Sequence, residues 1–253
     1  MKKEKFKLIS SFYSEKGVRK TNDDAIWCGF NDSKQFLALV CDGVGMEANS
    51  AIASKTTIEI FKSHFLKRYH VYFPEKWFKH VLHLVYKKLH QEWKINKNSI
   101  KTTLTLCFIS YDICYIFNIG DSRAYHYVNE FHQWNLITTD HNLFNFLKQT
   151  HAPLKSYISN KDSLYSLVRY ISSNSNKNIN YDKFTFKIKD NDLIFLATDG
   201  LYNFINIDDI NEIISMNRHL PSENNAHILV NKSLANNSTD NSSGIVIEFL
   251  KFR

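Results

Sequence analysis

Six aspartates stand at positions where the chain enters or leaves a predicted strand. They are Asp23, Asp24, Asp42, Asp121, Asp199 and Asp240. One aspartate at a strand end is usually a turn residue, and that interpretation suffices for any single member of the set. The whole set is different, because carboxylates gathered in a low-dielectric setting repel one another unless cations neutralise them. The pattern therefore predicts a carboxylate cluster that holds metal ions.

The chemistry of the donors indicates which ions these would be. The candidate ligands are all oxygen atoms, and neither a histidine nor a thiolate belongs to the set. Such donors select hard cations such as Mg²⁺ or Mn²⁺ over zinc. Glycines follow two of the aspartates, Gly43 after Asp42 and Gly200 after Asp199. Because glycine has no side chain, the backbone there could approach an ion closely.

The four cysteines do not suggest a competing metal site. Cys28, Cys41, Cys107 and Cys114 form no CxxC pair and stand in apolar, strand-like surroundings. Their spacing does not fit a zinc motif. We expect buried, reduced thiols, the common state of free cysteine in an intracellular protein.

Hydrophobic patterning predicts the elements that must position the aspartates. Apolar or alternating runs predict strands at 36–41, 103–109, 113–119, 193–197 and 244–250. Helical periodicity predicts helices at 48–66 and 75–93, and a weaker helix at 222–235 with Ser222 as its N-cap. The polar stretch 172–180 is predicted to be a loose segment.

The order of these elements predicts the fold class. Two adjacent helices interrupt a chain otherwise made of strands, which differs from the strict strand–helix alternation of a parallel sheet. The order favours an α+β fold in which helices pack outside antiparallel sheets. Glycine and proline are scarce, at 7 and 3 residues, and no linker divides the chain. We therefore expect a single domain over residues 1–253.

Composition narrows the class of protein. The chain has 253 residues, of which 43% are apolar, enough for a sizeable core. Its formal net charge is +7, but the lysines are scattered and there is no arginine-rich stripe, so we expect no nucleic-acid partner. No apolar run approaches the ~18 residues that span a bilayer, and the basic start lacks a cleavage site. We expect a cytoplasmic protein without a membrane partner.

Seven segments resemble, in order, the motifs of the PP2C family of metal-dependent protein phosphatases. They are GVRKTNDD at 17–24, DGVG at 42–45, TTL at 102–104, NIGDSRAY at 118–125, TTDH at 138–141, ATDGLY at 197–202 and DN at 240–241. Their order is more specific than any one of them, and the resemblance extends over about residues 14–249. It implies a bacterial-type serine/threonine phosphatase with a central antiparallel β-sandwich flanked by helices in four layers.

The resemblance also implies roles for the aspartates. Asp42, together with the Gly43 carbonyl, would bridge two core ions, Mn²⁺ or Mg²⁺. The remaining ligands would be Asp24, Asp199 and Asp240 for the core ions, Asp23 for a bound water, and Asp121 with Asp199 for a third ion.

Arg19 would bind the substrate phosphate, because a guanidinium matches phosphate geometry bidentately. Two ions ~3.5–4 Å apart would lower the pKa of a bridging water and generate hydroxide at neutral pH. That hydroxide would attack phosphorus in line, while Arg19 and the ions neutralise the developing charge. We expect no phosphoenzyme, since no nucleophilic cysteine or serine belongs to the cluster.

Several positions depart from the family pattern. Val44 stands where some relatives carry a histidine thought to protonate the leaving group. We considered His141 as a substitute and favour a structural role for it. Asp23 replaces the usual glutamate, and Ser243 replaces a threonine at a position expected to face solvent. The segment 142–183 matches least and is predicted to be a variable flap.

Two other functions remain open at this stage. A pseudophosphatase would keep the fold as a regulatory binding module, although Asp42, Asp199 and Asp240 are present. A metal-dependent phosphohydrolase of nucleotides or other small phosphoesters would also use a carboxylate cluster. For the phosphatase, the expected substrate is a phosphorylated protein, either a Ser/Thr kinase or its target. We expect the enzyme to be a monomer.

Overall fold

A computed structural model describes the chain over residues 6–45, 50–96, 99–151, 161–174, 180–217 and 225–251. The strands within these ranges are β1 (Phe6–Glu15), β2 (Ala25–Phe30), β3 (Phe36–Cys41), β4 (Gly43–Val44), β5 (Lys101–Thr102), β6 (Leu104–Ser110), β7 (Ile113–Ile119), β8 (Arg123–Val128), β9 (Gln133–Leu136), β10 (Ile171–Ser172), β11 (Asp182–Lys187), β12 (Leu193–Ala197) and β13 (Ser242–Lys251). The α-helices are α1 (Ser50–Leu66), α2 (Pro74–Asn96), α3 (Leu143–Gln149), α4 (Asp199–Tyr202), α5 (Ile207–Asn217) and α6 (Asn225–Ala235).

Most of the strands belong to two five-stranded antiparallel sheets. One has the order β1-β13-β12-β8-β9, and the other has the order β11-β7-β6-β3-β2. Three short strands form a further sheet in the order β10-β5-β4. In the first sheet β1 pairs with β13 along its whole length, from Phe6 opposite Lys251 to Glu15 opposite Ser242. The first and last described strands therefore lie side by side.

The central strands are buried on both faces, which explains why β3 shows no apolar–polar alternation. Phe36, Ala38 and Val40 pack in the core between the two large sheets. Leu37 and Leu39 point the opposite way, into a second core beneath the helices. Because successive side chains of a strand face opposite sides, burial of both sides requires a continuous apolar run.

Helices cover the outer face of each large sheet. Phe61 of α1 and Phe78 of α2 pack on the sheet that contains β3. Ile210 of α5 and Leu229 of α6 pack on the sheet that contains β12, against Phe195. The layers therefore follow the order helix, sheet, sheet, helix. The predicted α+β class, with a central antiparallel sandwich flanked by helices, is confirmed.

The predicted elements correspond closely to observed ones. The strands predicted at 36–41, 113–119 and 193–197 have the predicted bounds, and those at 103–109 and 244–250 shift by one or two residues at their ends. The two long predicted helices correspond to α1 and α2, although 48–49 lie outside the described residues. Ser222 also lies outside them, and α6 begins at Asn225.

Other elements are not evident in the sequence pattern. Among them is β1, whose stability comes from pairing with a strand more than 200 positions away. The strands β8 and β9 and the helices α3 and α5 were also not predicted. Of the predicted loose segment, 175–179 lie outside the described residues and Ile171–Ser172 form β10. Within the described ranges, no helix is both long and apolar enough to cross a lipid bilayer.

We expect Leu39→Ala to lower the free energy of unfolding by about 2–5 kcal/mol, because it leaves a cavity under α1 and α2. The Leu39 side chain is fully buried. Urea denaturation of the metal-free protein measures the change. Met216→Ala, on an exposed residue of α5, is the control and should shift stability by no more than about 0.5 kcal/mol. Equal effects of the two substitutions would contradict the layered core.

Candidate active site

Asp42 lies at the end of the central strand β3, where its backbone is fixed by the neighbouring strand. Its N–H donates to Thr103 Oγ1 at 2.9 Å. Its carbonyl accepts from Thr103 N–H at 2.8 Å and from the Thr102 hydroxyl at 2.8 Å. The TTL motif therefore holds the main chain of Asp42 in place. Its carboxylate is left available for other contacts.

The glycines after Asp42 and Asp199 are required by close chain crossings. A Cβ on Gly43 would lie 2.6 Å from the Asp23 carbonyl oxygen and 2.7 Å from that of Ser50. A Cβ on Gly200 would lie 2.1 Å from the Asn241 carbonyl oxygen. Any other residue would push apart the segments that carry the aspartates. The protein backbone is thus sufficient to explain these two glycines.

Asp24 is the most buried member of the cluster, with 4% of its surface exposed. One carboxylate oxygen accepts hydrogen bonds from the Thr198 hydroxyl at 2.9 Å and the Ser243 hydroxyl at 2.6 Å. Ser243 is fully buried. The expectation that this position faces solvent is therefore wrong, because β13 turns the side chain inward onto Asp24. Neither hydroxyl was identified from the sequence as part of the site.

Asp23 is held at the start of α1. The Ser50 hydroxyl donates to its carboxylate, and its own N–H donates to Asn241 Oδ1 at 2.9 Å. The Asn241 amide also donates to the carbonyls of Lys16 and Thr21, at 3.0 and 2.9 Å. Asn241 thus organises the loop that carries Arg19 and Asp23. Its presence in the DN motif was the only sequence signal of this role.

Arg19 forms an ion pair with a predicted metal ligand. Its Nη2 lies 2.8 Å from Asp240 Oδ2, and its Nε donates to the Thr239 carbonyl at 2.9 Å. The two side chains are 47% and 40% exposed, so the pair lies at the opening of the site. The predicted phosphate-binding residue is therefore already adjacent to the carboxylates.

The carboxylates are close enough to perturb one another. Burial, and then the charges of Asp24 and Asp199, raise the pKa of Asp42 well above its usual range. Burial and the charge of Asp240 raise the pKa of Asp199, whose carboxyl lies within hydrogen-bonding reach of Asp42. Burial, and then Asp199, raise the pKa of Asp121 to about 7. Folding therefore brings several negative charges together in the carboxylate cluster.

Asp24 belongs to the same group. Burial raises its pKa well above the usual range, and the charges of Asp199 and Asp240 add to that rise. The hydrogen bonds from Ser243 and Thr198 oppose it, because they stabilise the ionised carboxylate. The two hydroxyls thus reduce the cost of placing this charge inside the protein.

His141 has the surroundings of a structural residue. It is 6% exposed, and its Nδ1 accepts the Gly120 N–H at 2.9 Å. Its Nε2 lies 2.9 Å from Arg169 Nη1 and 3.1 Å from Asp182 Oδ2. These contacts fix the backbone just before Asp121. They agree with the structural role that was favoured for His141.

A further ion pair supports the strand that follows Asp121. Arg123 donates to both carboxylate oxygens of Asp140, at 2.9 and 2.8 Å, and lies over the Tyr202 ring at 3.9 Å. The Tyr202 hydroxyl donates to the Asp121 carbonyl at 3.1 Å. Three of the recognised motifs thus meet through Arg123. Its role was not identified from the sequence.

The donor set fits hard divalent cations. Mutually repelling, partly or fully buried carboxylates require positive charge, and all of their donor atoms are oxygen. In the described part of the chain, no three His, Cys, Asp or Glu side chains are arranged to enclose an ion as they stand. Two of the carboxylates have protein partners instead: Ser50 contacts Asp23, and Arg19 contacts Asp240.

Known proteins resemble this chain over most of its length. A family model described as protein phosphatase 2C matches residues 14–236. A protein of Mycoplasma genitalium named "Putative protein phosphatase" is 32% identical over 251 residues, which cover 95% of each chain.

Solved structures share the fold. The structure of the S. agalactiae serine/threonine phosphatase has a TM-score of 0.83 at 20% identity, covering 95% of this chain and 99% of that one. The catalytic domain of the serine/threonine protein phosphatase PstP, in complex with two manganese ions, has a TM-score of 0.80 at 18% identity, covering 96% and 99%.

We expect metal-free Asp42→Asn to unfold at a higher temperature than wild type at about pH 8, because the amide removes a charge that Asp24 and Asp199 oppose. The folded protein raises the pKa of Asp42 above its unfolded value of about 3.9. The folded state then binds the proton more tightly, so stability falls as pH rises from the unfolded pKa towards the folded one.

Thermal melts in EDTA between about pH 5 and about pH 8 test this expectation. Wild type should lose more stability across that range than Asp42→Asn. Asp32→Asn, on an exposed turn residue, is the control and should behave as wild type does. An Asp42→Asn protein with the wild-type pH dependence would show that the carboxylates are not coupled.

Proposed function

The chain belongs to the protein phosphatase 2C family, and we propose that it hydrolyses phosphoserine and phosphothreonine in proteins with bound divalent cations. The observation that carries the proposal is the group of coupled carboxylates at the ends of the central strands. Relatives named as serine/threonine phosphatases support the substrate class. The bound manganese of PstP supports the kind of ion.

We assign the core ions, Mn²⁺ or Mg²⁺, to the oxygen donors in the centre of the cluster. The proposed ligands are Asp24, Asp42, the Gly43 carbonyl, Asp199 and Asp240, with Asp23 for a bound water and Asp121 for a third ion. Such ions, when bound, lower the pKa of coordinated water and neutralise charge on a phosphoryl group. The hydroxyls of Thr198 and Ser243 keep the Asp24 carboxylate oriented.

Arg19 is the proposed phosphate-binding residue. It is half exposed at the opening of the site, and its pairing with Asp240 keeps its guanidinium beside the carboxylates. A guanidinium can donate two parallel hydrogen bonds to a phosphate. Val44 carries no titratable group, and His141 is engaged by Arg169 and Asp182. Neither of these two residues would therefore protonate the leaving group.

The proposed setting is the cytoplasm, where the enzyme would act on a Ser/Thr kinase or the targets of that kinase. The four cysteines are free thiols, three of them buried. This state is typical of a reducing compartment. We propose that the protein is a monomer with a single domain.

Neither alternative function gains support from the relatives. A pseudophosphatase would tolerate the loss of core ligands, whereas Asp42, Asp199 and Asp240 are all retained. A nucleotide phosphohydrolase has no counterpart among the relatives described above.

We expect hydrolysis of p-nitrophenyl phosphate and of phosphothreonine peptides that requires added Mn²⁺ or Mg²⁺. Turnover should disappear with EDTA and return with excess metal, because the carboxylates alone provide no activated water. Phosphate release is the measurement, and Asp32→Asn is the control for an uninvolved carboxylate. Full activity in protein shown by elemental analysis to be metal-free would contradict the proposal.

Arg19→Ala should mainly raise KM, because it removes phosphate contacts already made with bound substrate. A bidentate charged contact is worth about 2–3 kcal/mol, which corresponds to ~30- to 150-fold in KM. Lys20→Ala, on the exposed neighbouring residue, is the control and should change KM little. If kcat collapses while KM is unchanged, Arg19 acts on the transition state instead.

A further inference from the structure

The connection between α1 and α2 forms a small cavity far from the carboxylates. We call residues 67–80 the α1–α2 corner. The cavity has a volume of about 250 Å³ and is lined by Arg68, His70, Val71, Tyr72, Phe73, Lys76, Trp77 and His80. Ser50, at the start of α1, contacts Asp23 of the active site. The corner follows the other end of this helix of 17 residues, about 25 Å away at 1.5 Å per residue.

The shape of the corner is fixed by buried amide side chains from the turn between β2 and β3. Gln35 accepts the Val71 N–H at 2.7 Å and donates to the Val71 carbonyl at 3.0 Å. Asn31 donates to the Arg68 carbonyl at 3.2 Å. Gln35 and Asn31 are 2% and 6% exposed. A surface held this firmly is preformed, so a partner would not have to order it on binding.

The charge of the corner is positive. Arg68, Lys76, His70 and His80 line the cavity, and no acidic residue does. The nearest acid in sequence, Glu75, is turned towards β11, where it accepts hydrogen bonds from Lys183 at 2.6 Å and Tyr181 at 2.8 Å. These hydrogen bonds lower the pKa of Glu75 to about 2. Its charge is therefore already neutralised by partners outside the cavity.

Aromatic surface surrounds this charge. Tyr69, Tyr72 and Phe73 are 72%, 76% and 67% exposed, an unusual exposure for three large side chains within five positions. The Lys76 ammonium lies 5.1 Å from the centre of the Phe73 ring. The Trp77 side chain also forms part of the cavity wall.

We propose that the α1–α2 corner is a docking surface for an acidic segment of a protein, with one aromatic side chain of that segment anchored in the cavity. The volume suits one side chain and lies below the range of sites for whole small molecules. The cations and the exposed rings suit carboxylates on either side of such an anchor. A single-stranded nucleic acid would need a long basic groove instead, whereas this surface is one compact pocket.

Binding at the corner does not depend on the proposed function, but its expected effect on KM does. Docking at the corner would bring a phosphorylated protein close to the carboxylates and would lower KM for that protein. It would not affect p-nitrophenyl phosphate, which is too small to reach both places. Binding at the corner itself requires neither metal nor turnover.

The first test measures binding in EDTA by fluorescence anisotropy. The probe is a labelled peptide in which one phenylalanine stands between two runs of glutamate. We expect Arg68→Glu/Lys76→Glu to weaken its binding at least about tenfold. Tyr72→Ser/Phe73→Ser should weaken it similarly, as should replacing the peptide phenylalanine by serine. Lys87→Glu/Lys94→Glu, which makes the same change in net charge at two exposed positions of α2 outside the corner, is the control and should have little effect.

The second test joins the same acidic peptide, through a flexible linker, to a phosphothreonine. With Mn²⁺ present, KM for this substrate should rise about tenfold in Arg68→Glu/Lys76→Glu, while kinetics with p-nitrophenyl phosphate stay as in wild type. Loss of turnover with retained binding in EDTA would refute the phosphatase proposal and leave the docking surface standing. Equal peptide binding by wild type and the double variant would overturn the docking surface. Tighter binding of an oligothymidine strand or of phosphatidylglycerol vesicles would overturn it as well.

Discussion

The cost of gathering carboxylates inside a protein is the constraint on which the rest of the site depends. Asp24 is nearly buried, and besides burial the charges of Asp24 and Asp199 raise the pKa of Asp42. Besides burial, the charge of Asp240 raises the pKa of Asp199. Two hydroxyls oppose this effect at Asp24 but do not cancel it. Repulsion among these carboxylates lowers the stability of the folded protein. Cations that bind only the folded state raise that stability again. Ion binding and folding stability are therefore linked.

The sandwich supplies the rigidity that this repulsion requires. The aspartates project from the ends of β3 and β12, which are buried on both faces and cannot shift without opening a core. The chain crossings at Gly43 and Gly200 fix the spacing of the ends of these strands to within van der Waals contact. The repulsion between the aspartates therefore does not push β3 and β12 apart. The same closeness explains why a methyl group would not fit at either glycine.

Features that depend on residues close together in the chain could be predicted from the sequence, and features that depend on distant residues could not. Runs such as 36–41 and the paired aspartate–glycine motifs carry local signals, and they gave the class of the fold and the members of the cluster. The inward turn of Ser243, the pairing of β1 with β13 and the contact of Arg19 with Asp240 join residues far apart in the chain. No local pattern contains them. Ser243 stands where the family pattern has threonine, but its effect on Asp24 depends on a contact between residues 219 positions apart and could not be inferred.

The helix α1 relates the active site to the corner at its far end. Its first residue, Ser50, bonds to Asp23, and Phe61 and Phe65 hold its body to the sheet, so the separation of about 25 Å is fixed. An extended chain advances at most about 3.3–3.6 Å per residue. A protein anchored at the corner must therefore place its phosphorylated residue at least about seven residues from the anchor to reach the end of α1 that contacts Asp23. Specificity of this kind depends on the distance between two features of the substrate, and it leaves the sequence around the phosphorylated residue unconstrained.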